Sequence, residues 1–255
     1  MRALGRPPEF PLVKCVIIAA GQGLRLRDIA PLKPLAPLLG APLISHVIDC
    51  AMEGGATEFV VVTGYEGDKL ERRLYALAAA RGLRLNCIRN PKWKASNGHS
   101  VAAAGPVLHG EKFLLVMSDH IFDPEIARDL IRRYGDTPGV ALAVDGRLDN
   151  PLVDLEDVTR VDVAEDGRIR RIGKLIERYN AYDTGVFLAS PLLIEAIEAK
   201  VAAGGVGSLS EGMQALAEQG LAFAHDIGDR FWIDIDDAEA FGRAQREAGR
   251  LVGAQ

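Results

Sequence analysis

Residues Val13–Ala19, apolar apart from Lys14, run without a break into Ala19-Ala20-Gly21-Gln22-Gly23-Leu24-Arg25. A strand that is apolar along nearly its whole length belongs in the middle of a sheet covered on both faces. Parallel strands inside such a sheet are joined by helical crossovers, so this opening calls for an α/β architecture. The small residues and two glycines at the strand's end let a ligand approach the backbone closely. They also allow successive N–H groups to point at anionic oxygens.

The rest of the first half keeps that rhythm. Leu43, Val47, Ile48 and Met52 have helical spacing after Pro42, and Gly54-Gly55 ends the pattern. Glu58–Thr63 is predicted as a strand, Asp68–Arg81 as a helix stopped by Gly82, and Leu83–Arg89 and Lys112–Met117 as further strands. A helix is expected over Pro124–Tyr134. The second half changes character. Val158–Val163 and Arg168–Ile172 flank Asp166-Gly167, a hairpin signal. Val186–Leu188 reads as a short strand, and helices are expected over Pro191–Ala202, Leu209–Glu218 and Ala238–Leu251. Val201–Ser208, with its glycines, is the expected mobile loop. No repeat or low-complexity linker interrupts the chain. The reading is one domain over 1–255, with 12–135 mainly binding one ligand, and 136–255 supplying an antiparallel lobe and a closing helix.

Composition narrows the function classes. Of 255 residues 48% are hydrophobic and 25% charged, which excludes a disordered or fibrous chain. Lys plus Arg total 30 against 35 Asp plus Glu, so a nucleic-acid partner is not expected. No apolar stretch approaches the ~20 residues that span a bilayer, so no direct membrane insertion is expected. Met1–Pro11 lacks the apolar region of a secretory signal. Cys15, Cys50 and Cys87 are odd in number and far apart, the pattern of buried thiols in a reducing, cytoplasmic compartment.

Three glycine-rich turns compete for the segment after the first strand. A dinucleotide fingerprint would need glycine at Leu26, and a phosphate-binding P-loop would need Gly-Lys-Ser/Thr closing the turn. Neither is present. A plain tight turn leaves Arg25 and Lys33 unexplained. The remaining description is a G-x-G-x-R turn followed by Lys33-Pro34-Leu35. Arg25 offers a fork for phosphate oxygens and Lys33 a point charge. The pattern resembles the nucleotidyltransferases that load a phosphorylated alcohol or sugar onto a nucleotide, with Leu24 where Thr is common and Leu32 where Pro is usual.

Two acidic motifs follow. Phe113–Met117 runs into Ser118-Asp119-His120, placing an acid at a strand's carboxyl end, where open α/β sheets bind ligands. Asp119 can also be read as a helix cap or turn residue. Trp232-Ile233-Asp234-Ile235-Asp236 puts Asp234 and Asp236 on one face of an extended segment. The resemblance implies that Asp119 and Asp234 hold Mg2+, a hard cation suited to carboxylate and phosphate oxygens. Asp236 is a lesser candidate, and His120 is read as a polar residue ordering the loop.

Lys94-Ala95-Ser96-Asn97-Gly98-His99-Ser100 lies between a strand and a helix. Ser96 or Asn97 could cap that helix. The segment is also similar to the K-x-N-G-x-S stretch of cytidylyltransferases, which favours CTP and implies base contacts from Asn97, Gly98 and Ser100. Further on, Arg171-Ile172-Gly173-Lys174 ends the hairpin and Tyr182-Asp183-Thr184-Gly185 follows. Lys174 alone would be a solvated cation. Beside Asp-Thr-Gly it becomes a candidate for an acceptor phosphate, with Asp183 accepting from vicinal hydroxyls and Glu177 a weaker candidate.

Taken together, the motifs from Val13 to Asp237 resemble inositol-1-phosphate cytidylyltransferases. The resemblance implies a Rossmann-like, mainly parallel α/β sheet flanked by helices, the GT-A-like nucleotidyltransferase fold, with an antiparallel acceptor-side lobe. It implies nucleotide contacts from Ala19, Ala20, Gly21, Gly23, Asn97, Gly98, Ser100 and Asp119, and catalytic roles for Arg25, Lys33 and Lys174. The expected substrates are CTP and 1L-myo-inositol 1-phosphate, a phosphorylated polyol, giving CDP-inositol and pyrophosphate. The alternatives are a cytidylyltransferase for phosphocholine or another phosphorylated alcohol or sugar, and a non-catalytic nucleotide-binding regulator. Several relatives carry a fused membrane-embedded transferase domain. With the sequence stopping at Gln255, a separate polypeptide is expected to use the product. Oligomeric state is not legible.

Overall fold

The computed structural model describes residues 13–252, so the expected absence of a signal in Met1–Pro11 lies outside the described residues. The chain opens with β1 (Val13–Ala19) and two single 3-10 turns, Leu24–Leu26 and Lys33–Leu35. A two-residue pair, β2 (Pro37–Leu38) with β3 (Ala41–Pro42), leads into α1 (Leu43–Glu53). The alternation continues through β4 (Ala56–Thr63), α2 (Gly67–Arg81), β5 (Leu85–Arg89), α3 (Gly98–Leu108) and β6 (Phe113–Met117). A short β7 (His120–Phe122) precedes α4 (Pro124–Tyr134) and β8 (Val140–Asp145). The hairpin is β9 (Arg160–Val163) with β10 (Ile169–Gly173), followed by β11 (Ala181–Ala189), α5 (Pro191–Ala202) and α6 (Leu209–Glu218). The chain closes with β12 (Ala222–Asp226), β13 (Trp232–Asp234) and α7 (Ala238–Val252).

Nine strands join in one sheet whose main path is β10-β9-β11-β6-β1-β4-β5, with β8 on β11 and β12 on β8. The β1 strand lies between β4 and β6 and is parallel to both, the interior position its apolar sequence demands. The second-half strands β8 to β11 supply the expected antiparallel part, as a continuation of the same sheet. The expected strand Val186–Leu188 is the end of the longer β11, antiparallel to β6, β8 and β9. Two strands of this sheet have no counterpart in the sequence reading, β8 and β12, which pair parallel to each other; nor do the short β2, β3 and β7 outside it.

Alternation along β1 explains the two main core layers. Cys15, Ile17 and Ala19 pack with Val47, Ile48, Leu70, Leu74, Ile126 and Leu130 on one face, which carries α1, α2 and α4. Val16 faces the other way, with Val101, Leu193, Ile197, Met213 and Leu216 of α3, α5 and α6. Each fully buried aliphatic side chain of this kind contributes about 1.5–3 kcal/mol. A third cluster matters most for function. Leu26 of the glycine loop, Ile121 of β7, Ile233 of β13 and Phe241 of α7 pack together, so segments far apart in sequence are fixed as one wall. Among the described residues no helix is long and apolar enough to cross a membrane.

Candidate active site

A cleft of about 690 Å³ opens at the carboxyl ends of β1 and β6, the edge where parallel sheets expose loops to ligands. Because β11 is antiparallel to β6, its first residues arrive at the same edge. Ala19, Ala20, Gly21, Gly23, Arg25, Lys33, Asn97, Ser100, Asp119, Lys174, Asp183 and Asp234 all line this cleft. Gly98 and Glu177 do not line it, and Glu177 is exposed outside.

The glycine loop places the cations. Gly23 has φ +58, and a Cβ there would run into the Lys33 side chain. Glycine at this point therefore lets the loop fold over Lys33, which is 7% exposed. Lys33 Nζ lies 2.6 Å from Asp119 Oδ2 and also pairs with Asp236. Burial alone would lower the Lys33 pKa, but Asp119, Asp236 and Asp234 more than reverse that effect and raise it. Arg25 is half exposed, 2.7 Å from Asp236, and pairs as well with Asp157.

The carboxylates converge through strand pairing. Asp234 lies opposite His120 in the β7–β13 ladder, and the Ile235 N–H donates to the Asp119 carbonyl at 3.0 Å. The β13 strand is anchored by Trp232, whose Nε1 donates to the buried Asp145 at 2.8 Å. His120 Nδ1 is 2.9 Å from Asp119 Oδ1 and 3.6 Å from Asp234 Oδ1. Burial opposes the His120 charge, but Asp234 and Asp119 push its pKa up to about 9. Asp119 is held below the usual carboxylate range: burial is outweighed by Lys33 and His120. Asp234 goes the other way, up to about 7, because burial and the neighbouring Asp119 and Asp236 outweigh His120 and Lys33.

These residues fit a hard divalent cation. Oxygen and nitrogen atoms of Asp119, His120 and Asp234 lie within 4.8 Å of one another. Asp234 Oδ1 is buried without a hydrogen-bond partner, an arrangement a bound cation would satisfy.

On the nucleotide side, Asn97 occupies the N-cap of α3 but its side chain does not cap the helix. Its Oδ1 instead accepts from the Leu209 N–H at 2.9 Å, tying α3 to α6. Gly98 owes its lack of a side chain to the same junction, since a Cβ would collide with the Gly207 carbonyl. Glycine at this position is thus required by packing of α3 against the loop that precedes α6. Ser100 is buried and its Oγ accepts from Asn90 Nδ2 at 2.9 Å.

On the opposite side, Lys174 pairs with Asp157, which therefore bridges Lys174 and Arg25. Asp157 sits below the usual carboxylate range, with burial outweighed by Lys174 and Arg25. Asp183 accepts from the Gly185 N–H at 2.7 Å, and burial pushes its pKa up to about 6. The aromatic pair near this segment is no open cage: Tyr182 is 1% exposed, and Arg160 lies 4.9 Å from the Tyr179 ring. Sequence reading missed Asp157 and Trp93. Asp157 lies in an acidic stretch, Asp154–Asp157, that looks like an ordinary solvated loop. Trp93 had a signal, an aromatic residue between Lys92 and Lys94 at the head of the Asn-Gly segment.

Comparison with known proteins matches this geometry to a family. A bifunctional IPC transferase and DIPP synthase of Rubrobacter xylanophilus is 36% identical over 228 residues, covering 88% of this chain and 49% of that protein. The protein of the same name from Aquifex aeolicus is 29% identical over 233 residues, covering 91% and 50%. The chain thus spans about half the length of these curated relatives. The inositol-1-phosphate CTP transferase structure from T. maritima superposes with a TM-score of 0.81 at 25% identity, covering 95% of this chain and 97% of that one. The MobA-like NTP transferase domain matches residues 15–182, from β1 through the glycine loop and Asp119 into β11. The chain belongs to that family, the MobA-like NTP transferases.

Proposed function

We propose that the chain transfers the cytidylyl group of CTP to 1L-myo-inositol 1-phosphate, releasing pyrophosphate. The names of the Rubrobacter and T. maritima proteins support the substrate pair. The observation that carries the reading is the convergence of Arg25, Lys33 and Lys174 with Asp119 and Asp234 in one cleft. A nucleoside triphosphate and a phosphate monoester repel each other, and bringing them together needs fixed positive groups at both ends. A hydrogen-bonding polyol is favoured over choline because Tyr182 is buried, which leaves Tyr179 as a single ring and not an aromatic cage.

In this mechanism Arg25 and Lys33 bind the triphosphate and Lys174 holds the incoming phosphate. Asp183 accepts from acceptor hydroxyls. An oxygen of the acceptor phosphate forms the new bond to the α-phosphorus, while the bond to the β-phosphate breaks and its electron pair leaves with pyrophosphate. The nucleophile is already ionised at neutral pH, so no side chain has to remove a proton. Alignment and charge neutralisation carry the rate. Asp119 and Asp234 are the residues that would hold Mg2+, which supplies positive charge to phosphate oxygens when bound. The free thiols Cys15, Cys50 and Cys87 support a reducing, cytoplasmic location.

Pyrophosphate release, measured with CTP and a panel of phosphorylated alcohols, tests the reading. Release with inositol 1-phosphate in preference to phosphocholine and simple sugar phosphates is expected. Binding of CTP with no release for any acceptor would overturn catalysis in favour of a regulator.

A further inference from the structure

Trp93 lines the cleft, yet neither the phosphate contacts, the carboxylate cluster nor the acceptor side uses it. We propose that the Trp93 indole is the stacking wall for the nucleobase, an inference that rests on reading this cleft as a CTP site. An indole of ordinary structural use packs into a core, and Trp93 belongs to none of the three apolar clusters. It stays half-buried at the cleft, with the flexible Lys94 ammonium 5.3 Å from its ring centroid, a cation that an entering base would displace.

The backbone brings it close to the phosphate loop. Gly64 follows β4, and a Cβ built there would run into Trp93 Cβ and come within 2.7 Å of the Ala20 carbonyl oxygen. Glycine at that point lets the Trp93 segment pack against the end of β1, so indole and glycine loop share one wall of the cleft. Tyr65 buttresses the indole, with ring centroids 5.4 Å apart. Tyr65 is itself held: its N–H donates to Ala20 at 3.0 Å and its hydroxyl accepts from Arg27 at 3.2 Å.

The chemistry is complementary to a base. Asn97, four residues on, has its oxygen engaged by Leu209, which leaves its NH2 as a donor for a base edge. A donor reads the edge of a ring but does little for its face. The face calls for an aromatic partner, and base–aromatic stacking contributes about tenfold or more in affinity.

The test uses kinetics and fluorescence. Trp93→Leu should raise KM for CTP roughly tenfold, with acceptor KM and kcat changed by less than about twofold; Trp93→Phe should recover most of the loss. The chain has two tryptophans, so the emission that wild type has and Trp93→Leu lacks is the Trp93 signal. CTP should quench that emission and ribose 5-triphosphate, which lacks the base, should not. A wild-type KM for CTP in Trp93→Leu, or no quenching by CTP, overturns the proposal. So does an equal loss for both substrates that Trp93→Phe does not repair, since that marks a structural prop. If the wild-type chain releases no pyrophosphate, the functional reading falls, while the quenching experiment still decides the stacking.

Discussion

Asp234 faces His120 directly across the β7–β13 pair, with 3.6 Å between Asp234 Oδ1 and His120 Nδ1. The distance is too long for a hydrogen bond, so the half-buried carboxylate sits beside two other acids with its Oδ1 unsatisfied. Asp234→Asn should lower kcat/KM by on the order of 10²–10³-fold, the usual cost of losing one preorganised charge-stabilising group. The variant should melt no lower than wild type in metal-free buffer, because it removes a half-buried carboxylate crowded by Asp119 and Asp236. Wild-type protein should gain melting temperature when Mg2+ and CTP are added together, and the variant should lose most of that gain. Unchanged turnover with an unchanged magnesium requirement would remove Asp234 from the cation site.

Gly21 and Gly23 separate the folding and binding uses of one loop. A Cβ at Gly21 would meet nothing within 4 Å, whereas at Gly23 it would strike Lys33 in a backbone of φ +58. Gly23→Ala should therefore cost about 1–2 kcal/mol of stability by denaturant titration. Gly21→Ala should unfold like wild type but raise KM for CTP, because the added methyl stands where phosphate oxygens approach the backbone. Equal stability losses in the two variants would contradict this division.

Much of this architecture is legible in sequence because local pattern and tertiary placement agree. The bounds of α4, α5 and α6 coincide with their helical periodicity, and the capping box of Ser208 and Glu211 marks the start of α6. The β12 strand, Ala-Phe-Ala-His-Asp, carries no β-branched residue and owes its form to parallel pairing with β8. In the site, Arg25, Lys33, Asp119 and Asp234 sit at strand ends or in compact motifs that name them. Asp157 has no such mark. Its contact with Arg25 spans 132 residues of chain, and only the folded sheet brings the two together. Gly98 shows the opposite limit, where the residue stood out but its reason, the Gly207 carbonyl, lay on a remote loop.

Asp145 ties three segments together and should act on Asp234 through Trp232. Its fully buried carboxylate accepts from Trp232 Nε1, Asn150 Nδ2, and both the guanidinium and the backbone N–H of Arg147. Burial would raise its pKa, but Arg147, Trp232 and Asn150 outweigh it and hold it below the ordinary value. A depressed folded-state pKa contributes stability that is present above the unfolded value, about 3.9, and is lost as pH falls through the folded one. Asp145→Asn should thus cost about 1–3 kcal/mol at pH 7. The gap to wild type should narrow as the solution is acidified below about pH 4. A gap independent of pH, by denaturant titration across that range, would mean the charge on Asp145 contributes nothing.

Lys174 and Arg25 share Asp157, so the cation assigned to the acceptor and one assigned to the triphosphate are neutralised by the same carboxylate. Two phosphates entering the cleft would compete with that carboxylate for its two partners. Lys174→Ala removes the acceptor's half of the arrangement and leaves Arg25 with Asp157 and Asp236. The acceptor KM should rise about tenfold, in line with loss of a charge-assisted hydrogen bond, while KM for CTP stays within about twofold. Asp157→Asn should act in the opposite sense, lowering or leaving unchanged the acceptor KM, because an amide competes poorly with phosphate for an ammonium group. Steady-state kinetics with each substrate varied at saturating levels of the other reads both effects. If Lys174→Ala weakens CTP and spares the acceptor, Lys174 belongs to the triphosphate and the two halves of the cleft exchange their assignments.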